Sequence, residues 1–201
     1  MKVLVVGHSY ARDLKLVFPV LDNLSLELKN EEKVHFDLRF LAYPGKDYRY
    51  FLDHLELFEL IKDAKPDIIV IILGGNSIVA SKTNSQINQE IRLFYTHLKT
   101  VLGKDCIRLA VQIEARFALP NNPFGTPLAE EYNQRRNVIN NYVNKNMKRA
   151  KLVDGIISLG GVGFLNNESE YRDGVHLKQT GLLKYQIAFL HGIQYALNKR
   201  L

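Results

Sequence analysis

The chain has 201 residues, 46% hydrophobic and 24% charged, which suits one core spanning residues 1–201 and is short for two large domains. Its net charge of +6 leaves contact with nucleic acid or an anionic surface open, but the basic residues are scattered rather than massed in one block. A lone cysteine, Cys106, excludes an intrachain disulfide and a cysteine-based metal site. No apolar stretch reaches the length of a membrane span, and Met1 leads straight into a strand-like run without the regions of a signal peptide, so a cytoplasmic location is the expectation.

In chain order, KVLVVG reads as a first strand. Tyr10, Leu14, Val17, Leu21, Leu24 and Leu28 then recur at helical intervals. VHFDLRFL alternates, with Val34, Phe36, Leu38 and Phe40 on one side and His35, Asp37 and Arg39 on the other, which suits an edge strand. Residues 51–61 predict a second helix. DIIVIILGG is apolar from Ile68 to Leu73, as expected of a central strand covered by helices on both faces. Ile87, Ile91, Phe94, Leu98 and Val101 predict the next helix and CIRLAVQI the fourth strand. Residues 128–147 predict another helix, KLVDG around Val153 a fifth strand, and residues 182–197 the last helix. This alternation implies right-handed crossovers and a three-layer α/β/α sandwich around a parallel sheet. The irregular stretches 115–128 and 158–174 are expected loops.

Ligands of open α/β sheets bind at the carboxyl ends of the strands, and four short polar segments fall there. Gly7, His8 and Ser9 follow the first strand, Pro44 and Gly45 the second, and Gly74, Gly75 and Asn76 the third. RDGVHLKQTG, just before the last helix, offers Asp173 and His176 three residues apart. Acyl transfer through a serine needs a base within reach of the hydroxyl and a third group to orient that base. Ser9, His176 and Asp173 are the right residue types for those roles. The backbone N–H groups of Ser9 and Gly45 and the side-chain amide of Asn76 are candidate donors for a developing oxyanion.

In this order the four segments resemble the blocks of the SGNH hydrolases, the GDSL-type esterases and lipases, whose letters fall here on Ser9, Gly45, Asn76 and His176. The resemblance runs from the first strand to the last helix. It implies a flavodoxin-like sheet of order 2-1-3-4-5, a Ser9–His176–Asp173 triad, and an oxyanion hole of Ser9, Gly45 and Asn76. It also implies hydrolysis of carboxylic esters through an acyl-enzyme without metal or organic cofactor. Two blocks depart from the family pattern: GDS reads GHS, so His8 stands where an aspartate is usual, and the last residue of GGNS is Ser77. GHS followed by Arg12, together with GGNS and DGVHL, is similar to the esterase module in the first reading frame of LINE-type retrotransposons. That closer resemblance implies lipid esters or a membrane surface as partners, and nucleic acid through other domains of a parent polypeptide.

Each feature has a plainer structural reading. Ser9 suits a helix N-cap, Asp173 and His176 suit a turn before a helix, and Gly45 and Asn76 suit ordinary turns. His8 adjoins the serine, and because neighbouring side chains diverge, a structural role is expected for it. Phe117, Phe124 and Phe164 lie in the two loops and are expected to line an acyl pocket, against plain packing under those loops. A rival of a different class is a catalytically inactive module of the same fold that contacts RNA or membrane lipid. Nucleotide binding is disfavoured, since neither G-x-G-x-x-G nor G-x-x-x-x-G-K-[ST] occurs.

Overall fold

The computed structural model describes residues 1–17, 25–79, 81–117, 128–159 and 167–200. The continuous apolar runs form the middle of a sheet. Strand β1 (Lys2–Gly7) and the wholly buried β5 (Ile68–Ile72) pair in parallel, with Val3 opposite Ile68 and Gly7 opposite Ile72. The other apolar run, β6 (Ile107–Val111), flanks β5 on its far side. The half-buried β4 (Asp37–Ala42) forms one edge against β1, and the short β7 (Gly155–Ile157) forms the other. The order β4-β1-β5-β6-β7, counted along the chain within this sheet, is the expected 2-1-3-4-5.

Alternation along the central strands decides which layer each side chain joins. On one face Val3, Val5, Ile68, Val70 and Ile72 meet Tyr10 and Leu14 of helix α1 (Ser9–Val17) and Tyr185 and Phe189 of helix α6 (Gln179–Asn198). On the other, Leu4, Val6, Ile69 and Ile71 meet helices α2 (Tyr48–Asp53), α3 (Glu56–Asp63), α4 (Asn84–Leu102) and α5 (Ala129–Tyr142) through Phe51, Phe58, Phe94 and Ile139. Helix α4 begins at a capping box in which Thr83 and Gln86 satisfy each other's backbone N–H groups. Among the described residues no helix is long and apolar enough to cross a membrane.

Several boundaries differ from the periodicities. The alternating run from Val34 to Phe40 is two strands: β3 (Lys33–His35) pairs antiparallel with β2 (Ser25–Glu27) in a separate ribbon, and β4 starts afresh where Asp37 N–H reaches Met1 O at 2.9 Å. Leu28 fits the helical spacing but sits in the turn of that ribbon, where its N–H bonds Glu32 O at 2.9 Å. The helix expected over residues 51–61 breaks at His54, whose backbone leaves helical geometry while its Nδ1 bonds Tyr50 O. The last strand begins two residues beyond Val153, whose side chain is buried in the preceding turn. Beyond Tyr142 the fifth helix continues as a π-helical turn over Val143–Met147.

Candidate functional site

All five strands of the sheet run parallel, so their carboxyl ends gather at one side. Three of the sequence-predicted segments lie there at neighbouring strand ends. His8 N–H bonds Ile72 O at 3.1 Å, and Tyr43 N–H bonds Gly7 O at 2.8 Å, so the exits of β5 and β4 flank that of β1. Gly7 is needed for this closeness, because a Cβ there would stand 2.5 Å from Ile72 O. Gly45 has φ +76° with open space around it, so glycine serves the turn's backbone rather than its packing. The next residue, Lys46, offers its carbonyl to Asn76 Nδ2 at 3.2 Å, which joins the Gly45 turn to the Gly75–Ser77 turn.

His8 resolves the question of the cap. It precedes α1, its carbonyl accepts the N–H groups of Ala11 and Arg12, and its Nδ1 accepts the Tyr10 N–H at 3.4 Å. That is the work of an N-cap, and it leaves Ser9 as the first helical residue, half-buried. His8 is 2% exposed, and burial, reinforced by Arg116 and His176, pushes its pKa down to about 3. A neutral ring whose Nδ1 accepts carries its proton on Nε2, and that N–H is buried with no hydrogen-bond partner among the described residues.

The fourth segment arrives from before α6. Asp173 Oδ2 lies 2.8 Å from His176 Nδ1, and its Oδ1 accepts the N–H groups of Val175 and His176 at 3.0 and 2.6 Å. Burial opposes ionisation of Asp173, but these donors outweigh it and hold the carboxyl below the usual carboxylate range. Two main-chain carbonyls of this loop are tied to the sheet end: Tyr10 Oη donates to Val175 O, and Phe117 N–H donates to Gly174 O at 2.9 Å. His176 is near enough for its charge to act on His8. Among the described residues no hydrogen bond joins its ring to the Ser9 hydroxyl. Phe117 packs on Tyr171 with ring centroids 5.0 Å apart, beside the loop it anchors. Phe124 and Phe164 lie outside the described residues.

Two residues after β6 join this end of the sheet without having drawn notice in the sequence. Glu114, 4% exposed, accepts a hydrogen bond from Tyr185 Oη at 2.8 Å, and burial pushes its pKa up to about 7. Arg116 donates to Asn76 Oδ1 at 3.1 Å and lies over the Tyr132 ring at 4.5 Å. Their position at a strand's carboxyl end was the one available signal. Among the described residues no group of three histidine, cysteine, aspartate or glutamate side chains is arranged to hold a metal ion.

Solved structures share this fold along nearly the whole chain. A GDSL-like lipase from Bacteroides thetaiotaomicron superposes with a TM-score of 0.68 at 14% identity, covering 100% of this chain and 89% of its own. A family 3 carbohydrate esterase from Clostridium thermocellum gives 0.66 at 15% identity, with 98% of each chain covered. A lipase/acylhydrolase from Enterococcus faecalis gives 0.63 at 16% identity, with 96% of each covered. The chain has the GDSL-like hydrolase fold. No protein-family model matches the sequence, and no curated protein does. Within the GDSL-like fold, Ser9, the Gly45 turn and Asn76 occupy the ends of the first three sheet strands in chain order, and the Asp173–His176 loop immediately precedes the last helix.

Proposed function

We propose that the chain is a serine ester hydrolase of the SGNH type. The observation that carries this reading is the Asp173–His176 pair, joined at 2.8 Å and tethered through Val175 O to Tyr10, the neighbour of Ser9 at the start of α1. In this mechanism Ser9 Oγ attacks the ester carbonyl carbon and passes its proton to His176 Nε2. Asp173 holds the Nδ1 proton and the ring's orientation. The alkoxide leaves with the proton from His176, and a water activated by the same nitrogen then cleaves the acyl–Ser9 ester. The oxyanion of each tetrahedral intermediate accepts from Ser9 N–H, Gly45 N–H and Asn76 Nδ2, donors of the kind worth about 3 kcal/mol each. Carboxylic esters are the substrate class. Lipid esters, and a place as one module of a retrotransposon polypeptide, are the narrower form of the proposal and rest on GHS, Arg12, GGNS and DGVHL alone.

The test is turnover of p-nitrophenyl acetate together with labelling by a serine-directed fluorophosphonate. The expected result is that Ser9→Ala keeps its circular dichroism spectrum, loses all labelling and loses turnover by about 10⁶-fold, as for a nucleophile in an acting triad. Equal turnover by Ser9→Ala and wild type would end the proposal. A wild type that neither reacts nor turns over would favour the inactive binding module.

A further inference from the structure

Asn76 owes its orientation to groups on both sides of it. A side-chain amide has two settings related by a half-turn, distinguished only by which end donates. Here Oδ1 faces Arg116 Nη2 at 3.1 Å and Nδ2 faces Lys46 O at 3.2 Å. A guanidinium has no acceptor and a carbonyl has no donor. Reversing the amide therefore replaces two attractive contacts with a donor–donor and an acceptor–acceptor clash. In the observed setting one Nδ2 hydrogen goes to Lys46 O, and the second remains for an incoming acceptor.

The guanidinium is itself held. Arg116 N–H donates to Asn133 Oδ1 at 3.1 Å and its carbonyl accepts from Asn133 Nδ2 at 2.6 Å, so α5 grips the backbone on both sides of the side chain. The Tyr132 ring supports the cation from below. A Cβ at Gly75 would meet Arg116 Nη2 and His8 Nε2 in ordinary contact, 3.6 Å from each, and would crowd only Tyr132 Oη, at 3.2 Å. Arg116 forms no ion pair with a carboxylate among the described residues. A hydrogen bond from a cation to Oδ1 draws electron density from Nδ2 and strengthens Nδ2–H as a donor.

We propose that Arg116 is a positioning residue for the ester-hydrolase site, fixing the Asn76 amide with its donor end toward the oxyanion and polarising it. This rests on the reading of Asn76 as an oxyanion donor. If Arg116 acts through Asn76, its effect must vanish when Asn76 is gone.

The experiment is a double-mutant cycle on p-nitrophenyl acetate with Arg116→Met, Asn76→Ala and the pair, alongside ¹⁵N–¹H spectra of the side-chain amides. The expected kinetic result is that Arg116→Met lowers kcat about tenfold with KM little changed, the equivalent of one charge-assisted hydrogen bond. In the Asn76→Ala background the same change lowers kcat less than about twofold. Arg116→Lys, which keeps the charge and is the variant of choice should Arg116→Met not fold, falls between. An equal drop in both backgrounds, or a change confined to KM, overturns the proposal. The amide pair of Asn76, identified by its loss in Asn76→Ala, is expected to shift in Arg116→Met and less in Arg116→Lys. That readout needs no turnover. A shifted pair in a protein that hydrolyses nothing rejects the hydrolase reading, and the oxyanion role with it, and keeps only the hold of Arg116 on the Asn76 amide, whereas an unmoved pair rejects that hold whatever the activity.

Discussion

His8 and His176 stand at the same end of the sheet under opposite conditions. His8 is 2% exposed, spends Nδ1 on a backbone N–H and is kept neutral by burial and by neighbouring positive charge. His176 has a side chain 30% exposed and rests its Nδ1 on a carboxylate 2.8 Å away. One histidine is part of the scaffold, and the other stands partly exposed beside a carboxylate. Residue type did not separate them; what the Nδ1 atom meets did. His8 meets the start of a helix at the end of a central strand, while His176 meets Asp173 in a loop lying over that end.

Removing the outer ring should break the contrast most severely. On the hydrolase reading His176→Ala loses about 10⁵- to 10⁶-fold in kcat while its melting temperature stays within a few degrees of wild type, since the side chain is partly exposed. Turnover retained within tenfold would show that His176 is not the base. The inner ring should instead report through stability. The pKa of His8 is lower folded, about 3, than its ordinary 6.5, so the unfolded chain binds the extra proton and stability is lost as pH falls below 6.5. The loss attributable to His8 by pH 3.5 is on the order of 4 kcal/mol. His8→Asn, which keeps a capping acceptor, should be free of that component. Urea titrations of both proteins at pH 7 and pH 3.5 measure it, and parallel losses would refute the neutral buried ring.

A smaller effect of opposite sign comes from Glu114. Its folded pKa of about 7 lies above its ordinary 4.5, so here the native state binds the extra proton. Stability from this group is complete below pH 4.5 and is lost as pH rises through 7, by an amount on the order of 3 kcal/mol. Glu114→Gln should remove that decline and become the more stable protein at pH 8 relative to wild type. Urea midpoints at pH 5 and pH 8 check it, and an unchanged difference between the two proteins would mean that Glu114 is ionised throughout. Between pH 4.5 and 6.5 the two buried groups pull stability in opposite directions, so wild type should show a flatter profile there than either variant.

The sheet was legible because β1, β5 and β6 are continuous apolar runs that suit only buried parallel strands. Strand β4 was legible as an edge from its alternation, yet the same alternation hid the break at Phe36, since two strands of unrelated sheets happen to share one phase. Leu28 misled in a similar way: an apolar residue at a helical interval was in fact buried in a turn. At the site, the blocks containing Ser9, Gly45, Asn76, Asp173 and His176 could be found because each follows a strand or precedes the last helix. Arg116 and Glu114 could not be found that way. Their meaning comes from partners 40 residues earlier and 71 residues later, Asn76 and Tyr185, and no local pattern encodes such a contact. The GHS departure was visible as a departure, but that the histidine takes the cap, and not the serine, follows only from the bond between the Tyr10 N–H and His8 Nδ1.

The tether of the Asp173–His176 loop has a consequence for how this surface can vary. Tyr10 and Phe117 hold the loop through the carbonyl oxygens of Val175 and Gly174, atoms that every amino acid possesses. Gly174 is restricted by its φ of +74°, whereas the partly exposed side chain of Val175 takes no part in the anchor. Position 175 is thus a point where chemistry at the rim can be rewritten, by evolution or by a designer, while the latch beneath it stays shut.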